Sequence, residues 1–177
     1  MSCGFITKPT IDLCLPNLGG IVELYLADVE SVSSITVGEN SGLTAEGVTA
    51  ITMSGSSKFE KFNMRKQTSS FESSLVTSDN GAAYVSTVLS YVMPRMDASK
   101  RAAMQAFILS ECIAIVKTAN GNYFMIGDKD NPLTNTAGTG SSGVAKGDQN
   151  AYTVELTAET ANWPHEVLAS AVESVIE

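Results

Sequence analysis

The chain has 177 residues, enough for one ordinary domain with a sizeable core, and we treat residues 1–177 as a single domain. Its net charge of −8 creates a field that repels phosphate backbones, so a nucleic-acid-binding protein is not expected. Charged residues make up only 17% of the chain while Ser and Thr supply 37 residues, so the polar surface is mainly hydroxyl.

The three cysteines, Cys3, Cys14 and Cys112, are odd in number and have no CxxC spacing, which argues against a disulfide framework or a zinc site. We interpret them as free thiols of a protein made in a reducing cytoplasm. The opening segment lacks the pattern of an export signal, and no apolar run approaches the length of a membrane span. We therefore expect neither export nor a membrane partner.

The first third of the chain reads as strands separated by turns. A Gly-Gly turn precedes "IVELYLA" (21–27), which is apolar on both alternating faces, as a buried strand is. The runs "SSITVG" and "GVTAITM" (47–53) are β-branched and bounded by Gly, Ser and Asn. We predict a short strand for each of them.

A long polar hairpin is predicted over 58–93, because Asn80-Gly81 supplies the positive φ of a tight turn between two alternating segments. In the second arm one face is core-like and carries Val85, Thr87, Leu89, Tyr91 and Met93. The opposite face of the two arms carries Glu72, Ser74, Ser86 and Ser90. Hydroxyls stand there in place of the Lys and Glu of an ordinary soluble surface.

Beyond the hairpin, Asp97 is the expected N-cap of an amphipathic helix, and Asn120-Gly121 is the expected tip of a second hairpin over 113–127. Residues 134–150 are rich in Gly, Ser and Thr and are predicted to form an extended loop. The strand "AYTVELT" (151–157) follows, and an apolar stripe predicts a C-terminal helix over 163–177.

Residue types with catalytic potential are sparse. His165 is the single histidine, and we interpret it as structural or solvent-exposed. The acidic run 127–131 lacks the later ligands of a calcium loop and is better explained as a turn before Pro132, while "GTGSSG" lacks the Lys-Ser/Thr step of a phosphate loop. Cys112 reads as a buried thiol. We expect no enzymatic activity, no metal and no cofactor.

Seven basic residues cluster in the middle third of this acidic chain: Lys58, Lys61, Arg65, Lys66, Arg95, Lys100 and Arg101. They form either an ordinary solvated face or a contact with an acidic surface of a neighbouring copy. Complementary patches on one small protein would suit head-to-tail assembly.

The order of these elements resembles that of phage tail-tube proteins, and more narrowly the tube-like ring proteins of phages of gut Bacteroidetes, including the crAss-like phages. The resemblance is carried by "LPNLGGIVELYLADVESVSSIT", "FEKFNMRKQTSSF", "ANGNYFMIGDKDNPL" and "TGSSGVAKGDQNAYTVELTAE", which together touch most of 11–166. None of these stretches is a catalytic signature.

This resemblance implies an α+β fold that is mainly β, a β-sandwich or half-barrel with a flanking helix. It implies a homo-oligomeric ring of six copies, with twelve as an alternative, that contacts adjacent tail or neck rings of the virion. DNA would pass through the lumen without specific binding, and 134–150 would be an arm that reaches a neighbouring copy. The candidate interface or lumen residues are Lys61, Arg65, Lys66, Gln67, Glu72, Ser74, Ser86 and Ser90.

An alternative remains open. Ser/Thr-rich strands with sparse charge also suit a secreted or surface adhesin or a pilin-like binding module. The lack of an export pattern weakens that alternative.

Overall fold

The computed structural model describes residues 16–39, 43, 46–65 and 68–176. Within these residues the fold is α+β and mainly β, as the sequence predicts. Eleven strands form two sheets, and two short helices flank them. Cys3 and Cys14 lie outside the described residues, so our interpretation of those two thiols stays a prediction.

The larger sheet has seven strands in the order β2-β3-β11-β8-β7-β1-β4. Its strands are β1 (Ile21–Asp28), β2 (Val32–Gly38), β3 (Gly47–Met53), β4 (Glu60–Phe62), β7 (Cys112–Thr118), β8 (Tyr123–Ile126) and β11 (His165–Val167). The smaller sheet has the antiparallel order β5-β6-β10-β9. Its strands are β5 (Ser70–Thr77), β6 (Ala83–Pro94), β9 (Thr134–Ser141) and β10 (Ala151–Thr160).

The two sheets pack face to face around one hydrophobic core. Leu24 and Leu26 of β1 and Val116 of β7 meet Leu89 of β6 and Leu156 of β10 there, all of them buried. A second core lies on the other face of the seven-stranded sheet, where Tyr25, Ile113 and Ile115 pack against Val172 and Val175 of the C-terminal helix α2 (Ala169–Val175). The seven-stranded sheet is thus covered on both faces, which explains its nearly continuous apolar strands.

The two Asn-Gly turns form where the sequence predicts them. Gly81 has φ +86 between β5 and β6, and Gly121 has φ +96 between β7 and β8. Helix α1 (Ala98–Phe107) begins after Asp97, whose carboxylate accepts a hydrogen bond from the Lys100 backbone N–H at 2.9 Å. The expected N-cap is therefore confirmed.

The long hairpin begins later than predicted. Residues 60–62 do not belong to its first arm, because they form β4 and pair with β1 in the other sheet, with Leu24 opposite Phe62. The hairpin runs from Ser70 to Pro94. Alternation of polar and apolar residues identifies a strand but does not identify the sheet that it joins.

The prediction of a loop over 134–150 is wrong for its first half, because Thr134–Ser141 is strand β9 and pairs with β10. Its glycines have a packing role that composition alone does not show. A Cβ at Gly140 would lie 2.8 Å from Cε1 of Tyr152, and one at Gly138 would lie 3.0 Å from Cε of Met104 in α1. Glycine leaves room for α1 and Tyr152 to lie against this strand.

The prediction of a helix over 163–177 is also only partly right. Residues 165–167 form β11, which inserts between β8 and β3, and the Leu168 backbone N–H donates to the Val48 carbonyl at 2.9 Å. The helix begins only at Ala169. Because a gap between two strands offers backbone hydrogen bonds, pairing prevails over the local helical spacing. No helix among the described residues is long and apolar enough to cross a membrane.

Candidate assembly surfaces

The face of the four-stranded sheet that points away from the core, here called the outer face, carries mainly hydroxyls and carboxylates, together with Val76, Tyr84 and Val88. Three rows cross it from β5 through β6 to β10. The rows are Ser70–Ser90–Glu155, Glu72–Val88–Thr157 and Ser74–Ser86–Glu159. Beyond β10, the Thr136 hydroxyl of β9 lies 2.8 Å from the Thr157 hydroxyl.

This sheet is free of positive charge. None of the residues of β5, β6, β9 and β10 is a Lys or Arg, whereas Glu72, Glu155 and Glu159 all project from the outer face and are exposed. A polyanion held against this face would meet no salt-bridge donor from these strands and would feel repulsion from the three carboxylates.

The sheet has two long edges. Strands β5 and β9 are the outermost strands, each eight residues long, and each has a strand partner on one side only within the described chain. Because each neighbouring pair in the order β5-β6-β10-β9 is antiparallel, the chain runs in opposite directions in the two edge strands. Edge strands of soluble monomers are usually guarded by Lys, by Pro, by β-bulges or by covering segments. Strands β5 and β9 contain neither Lys nor Pro, and the pairing of β9 with β10 shifts register between Glu155 and Leu156.

Of the predicted surface residues, Glu72, Ser74, Ser86 and Ser90 lie together on the outer face. Lys61 and Arg65 do not join them. They lie on or after β4 in the other sheet. Lys66 and Gln67 are outside the described residues.

Lys61 has a structural partner. Its ammonium lies 2.7 Å from Glu23 and 5.6 Å from the centre of the Tyr25 ring, and Lys117 also lies 3.3 Å from Glu23. The hydrogen bond from Lys61 lowers the pKa of Glu23, and the same bond raises the pKa of Lys61. Lys61 is therefore explained as part of a surface ion-pair cluster.

Four of the seven basic residues lie near one end of the four-stranded sheet. Lys61, Arg65 and Lys100 line a shared groove of about 550 Å³ next to the end of β6. Arg95 follows β6 directly. Its φ of 63 lies in the left-handed region, which residues other than glycine rarely adopt. Its N–H donates to the Asn150 carbonyl at 2.7 Å, which fixes this conformation.

The segment between β9 and β10 is a compact turn. The Asp148 carboxylate accepts hydrogen bonds from the backbone N–H groups of Val144 at 2.8 Å and of Ala145 at 2.7 Å, and Gly143 supplies a φ of +70. These two bonds lower the pKa of Asp148, that from Ala145 most. The turn holds the Val144 side chain fully exposed at its tip.

Sequence reasoning missed two features. Glu155 and Glu159 belong to the outer face, and the alternation in "AYTVELTAET" is the signal that would have placed them there. The cleft beside Trp163 was also missed, because it joins residues from four separated segments.

The side chains that could act as nucleophiles or metal ligands have structural explanations. Burial raises the pKa of the Cys112 thiol to about 12, which makes it a poor nucleophile. The Asp128 carboxylate accepts from the N–H groups of Asp130 and Asn131, which confirms the predicted turn before Pro132. Among the described residues, no group of three or more His, Cys, Asp and Glu side chains is placed to hold a metal ion.

Comparison of the chain with models of protein families, with curated proteins and with solved structures finds no match.

Proposed function

We propose that this chain is a non-enzymatic structural protein of a phage virion that forms a ring of the tail tube or neck around the channel for DNA ejection. The observation that carries the proposal is the pair of long edge strands of the four-stranded sheet, which contain no Lys or Pro and run in opposite directions. The resemblance noted in the sequence analysis supplies the setting in the virion.

The direction of the edges determines how copies would join. When copies are related by rotation about an axis roughly parallel to the strands, β5 of one copy lies beside β9 of the next and runs antiparallel to it. This contact is heterologous, so it closes into a ring when the rotation divides a full turn. Four strands from each of six copies give a continuous sheet of 24 strands. Closure removes both exposed edges.

The composition of the outer face suits a lumen. In the proposed ring this face surrounds the channel and presents hydroxyls and carboxylates to the DNA backbone. Without Lys or Arg in the four strands, the wall offers no phosphate contacts that would hold the genome in place. The DNA therefore slides instead of binding.

The edge-pairing step can be tested at Leu75. This residue lies on the core-facing side of edge strand β5, yet its side chain is 58% exposed in the single chain. Leu75→Lys places an inward-pointing charge on the edge, a device that blocks edge-to-edge pairing. Leu18 is also 58% exposed but lies outside both sheets, so Leu18→Lys is a matched control.

We expect native mass spectrometry and electron microscopy of the unaltered protein to show closed rings, with six copies as the first expectation. Leu75→Lys should give folded monomers, whereas Leu18→Lys should keep the rings. An adhesin or pilin-like module would instead remain monomeric until it met a ligand or a donated strand. Rings that survive Leu75→Lys unchanged would disprove assembly through β5.

A further inference from the structure

The two ends of the four-stranded sheet differ in charge. Strands β6 and β10 pair from Pro94 opposite Ala151 at one end to Val85 opposite Thr160 at the other. At about 3.3 Å per residue these ends are roughly 30 Å apart. Arg95 comes one residue after the first end, and Trp163 comes three residues after the second.

The end near Trp163 is acidic and concave. Trp163 is 55% exposed and borders a cleft of about 350 Å³ that is also lined by Asp128 and Asp130. A second cleft on the same tryptophan is lined by Glu46 and Glu166. The ammonium of Lys129, which lies at the first cleft, donates to the Ser33 carbonyl at 2.8 Å. An exposed indole that borders two clefts, each lined in part by carboxylates, is suited to an arginine guanidinium.

The opposite end offers such a group in an unusual setting. Arg95 is exposed, and its φ of 63 costs backbone strain that glycine would avoid. Asn150 holds the turn from its carbonyl and side chain, the latter accepting from the Met96 N–H at 3.1 Å. The side chain that this turn presents is long, cationic and exposed.

We propose that the cleft beside Trp163 receives the Arg95 guanidinium of a second copy of this chain, so that copies stack end to end in one polar direction. The inference rests on the proposed function, because in a ring every copy presents the same end to the same side. Exposed Arg101 at one end and Asp130 at the other extend the charge complementarity across the contact.

The test compares Arg95→Gly and Arg95→Lys in the full chain by sedimentation velocity. Arg95→Gly relieves the strain, so it should not lower Tm by more than about 2 °C, yet it should raise the concentration needed for stacking at least tenfold. Arg95→Lys keeps the charge and should retain most of the stacking. Trp163→Ala should weaken stacking to the same extent as Arg95→Gly. Stacking of the unaltered protein should also fall as salt rises.

Restoration of stacking by the exchanged pair Arg95→Asp with Asp130→Arg would support the contact. Unchanged stacking in both Arg95→Gly and Trp163→Ala would overturn it. Ring closure is read separately, as the mass of the single ring. If rings never form, the proposed function fails, and carbodiimide cross-linking of isotope-labelled with unlabelled copies decides the end contact. Links between copies that join Lys100 to Asp128 or Asp130 would support it, and links between copies that join only other faces would overturn it.

Discussion

The two sheets of this molecule differ in how they manage their faces and their edges. The seven-stranded sheet has both faces covered, and residues 112–116 of β7 are buried without interruption. Its edge strand β4 is only three residues long and carries Lys61, and the Lys129 ammonium binds the Ser33 carbonyl of its other edge strand β2. Only one face of the four-stranded sheet is covered, and its eight-residue edge strands contain no Lys or Pro.

This contrast separates two roles. The seven-stranded sheet has the protections of a soluble monomer and provides the stable centre of the fold. The four-stranded sheet has no Lys or Pro in its two edge strands, and its outer face is not covered by another described element. Because both sheets belong to one chain in one solvent, the difference supports the proposal that the smaller sheet is completed by other copies.

The largest expected effect comes from the core between the sheets. Leu89 on β6 is fully buried, so Leu89→Ala should lower the free energy of unfolding of the isolated subunit by about 2–5 kcal/mol. The neighbouring Ser90 points to the outer face, and Ser90→Ala should change the stability by less than about 0.5 kcal/mol. Urea denaturation of both variants measures the difference. Equal losses would show that the two faces of β6 are not distinct.

A smaller effect on stability, but a clear effect on function, is expected from Ser90→Lys. In a ring, this substitution repeats a positive charge around the proposed lumen. The ring should then retain double-stranded DNA, with an affinity that falls as salt rises, while the subunit loses less than about 1 kcal/mol of stability. Ser90→Gln is the uncharged control, and filter binding across a salt series is the measurement. Equal DNA retention by the two variants would contradict the assignment of this face to the lumen.

The sequence predicted most strands, both Asn-Gly turns and the Asp97 cap, because each depends on local alternation or on a single turn residue. It failed at β9 and β11, where pairing depends on distant partners. The glycines of β9 favour a loop by composition, but in the structure they make room for α1 and Tyr152. Residues 165–167 match a helix locally but fill a gap between β3 and β8.

The candidate surface residues show the same limit: local patterns are predictable, and contacts between distant segments are not. Glu72, Ser74, Ser86 and Ser90 were found together because one hairpin register relates them. Lys61 was wrongly grouped with them, since nothing local showed that β4 belongs to the other sheet. The Trp163 cleft could not be predicted, because it depends on how four separate segments are arranged in space.

The smallest expected effect concerns the turn between β9 and β10. Because the folded pKa of Asp148 is lowered, the ordering of this turn is present above the ordinary carboxyl value of 3.8 and is lost as pH falls through the lowered pKa. Hydrogen exchange at the Val144 and Ala145 amides should accelerate at low pH relative to the base rate, while the amides of β10 stay protected. Asp148→Asn keeps an acceptor oxygen but cannot change its charge in this range, so the acid-dependent step should disappear. A step that persists in Asp148→Asn would mean that another group orders the turn. Replacing 142–149 by Asn-Gly should leave the β9 and β10 pairing intact, because the hydrogen bonds of Asp148 end on Val144 and Ala145 within the turn itself.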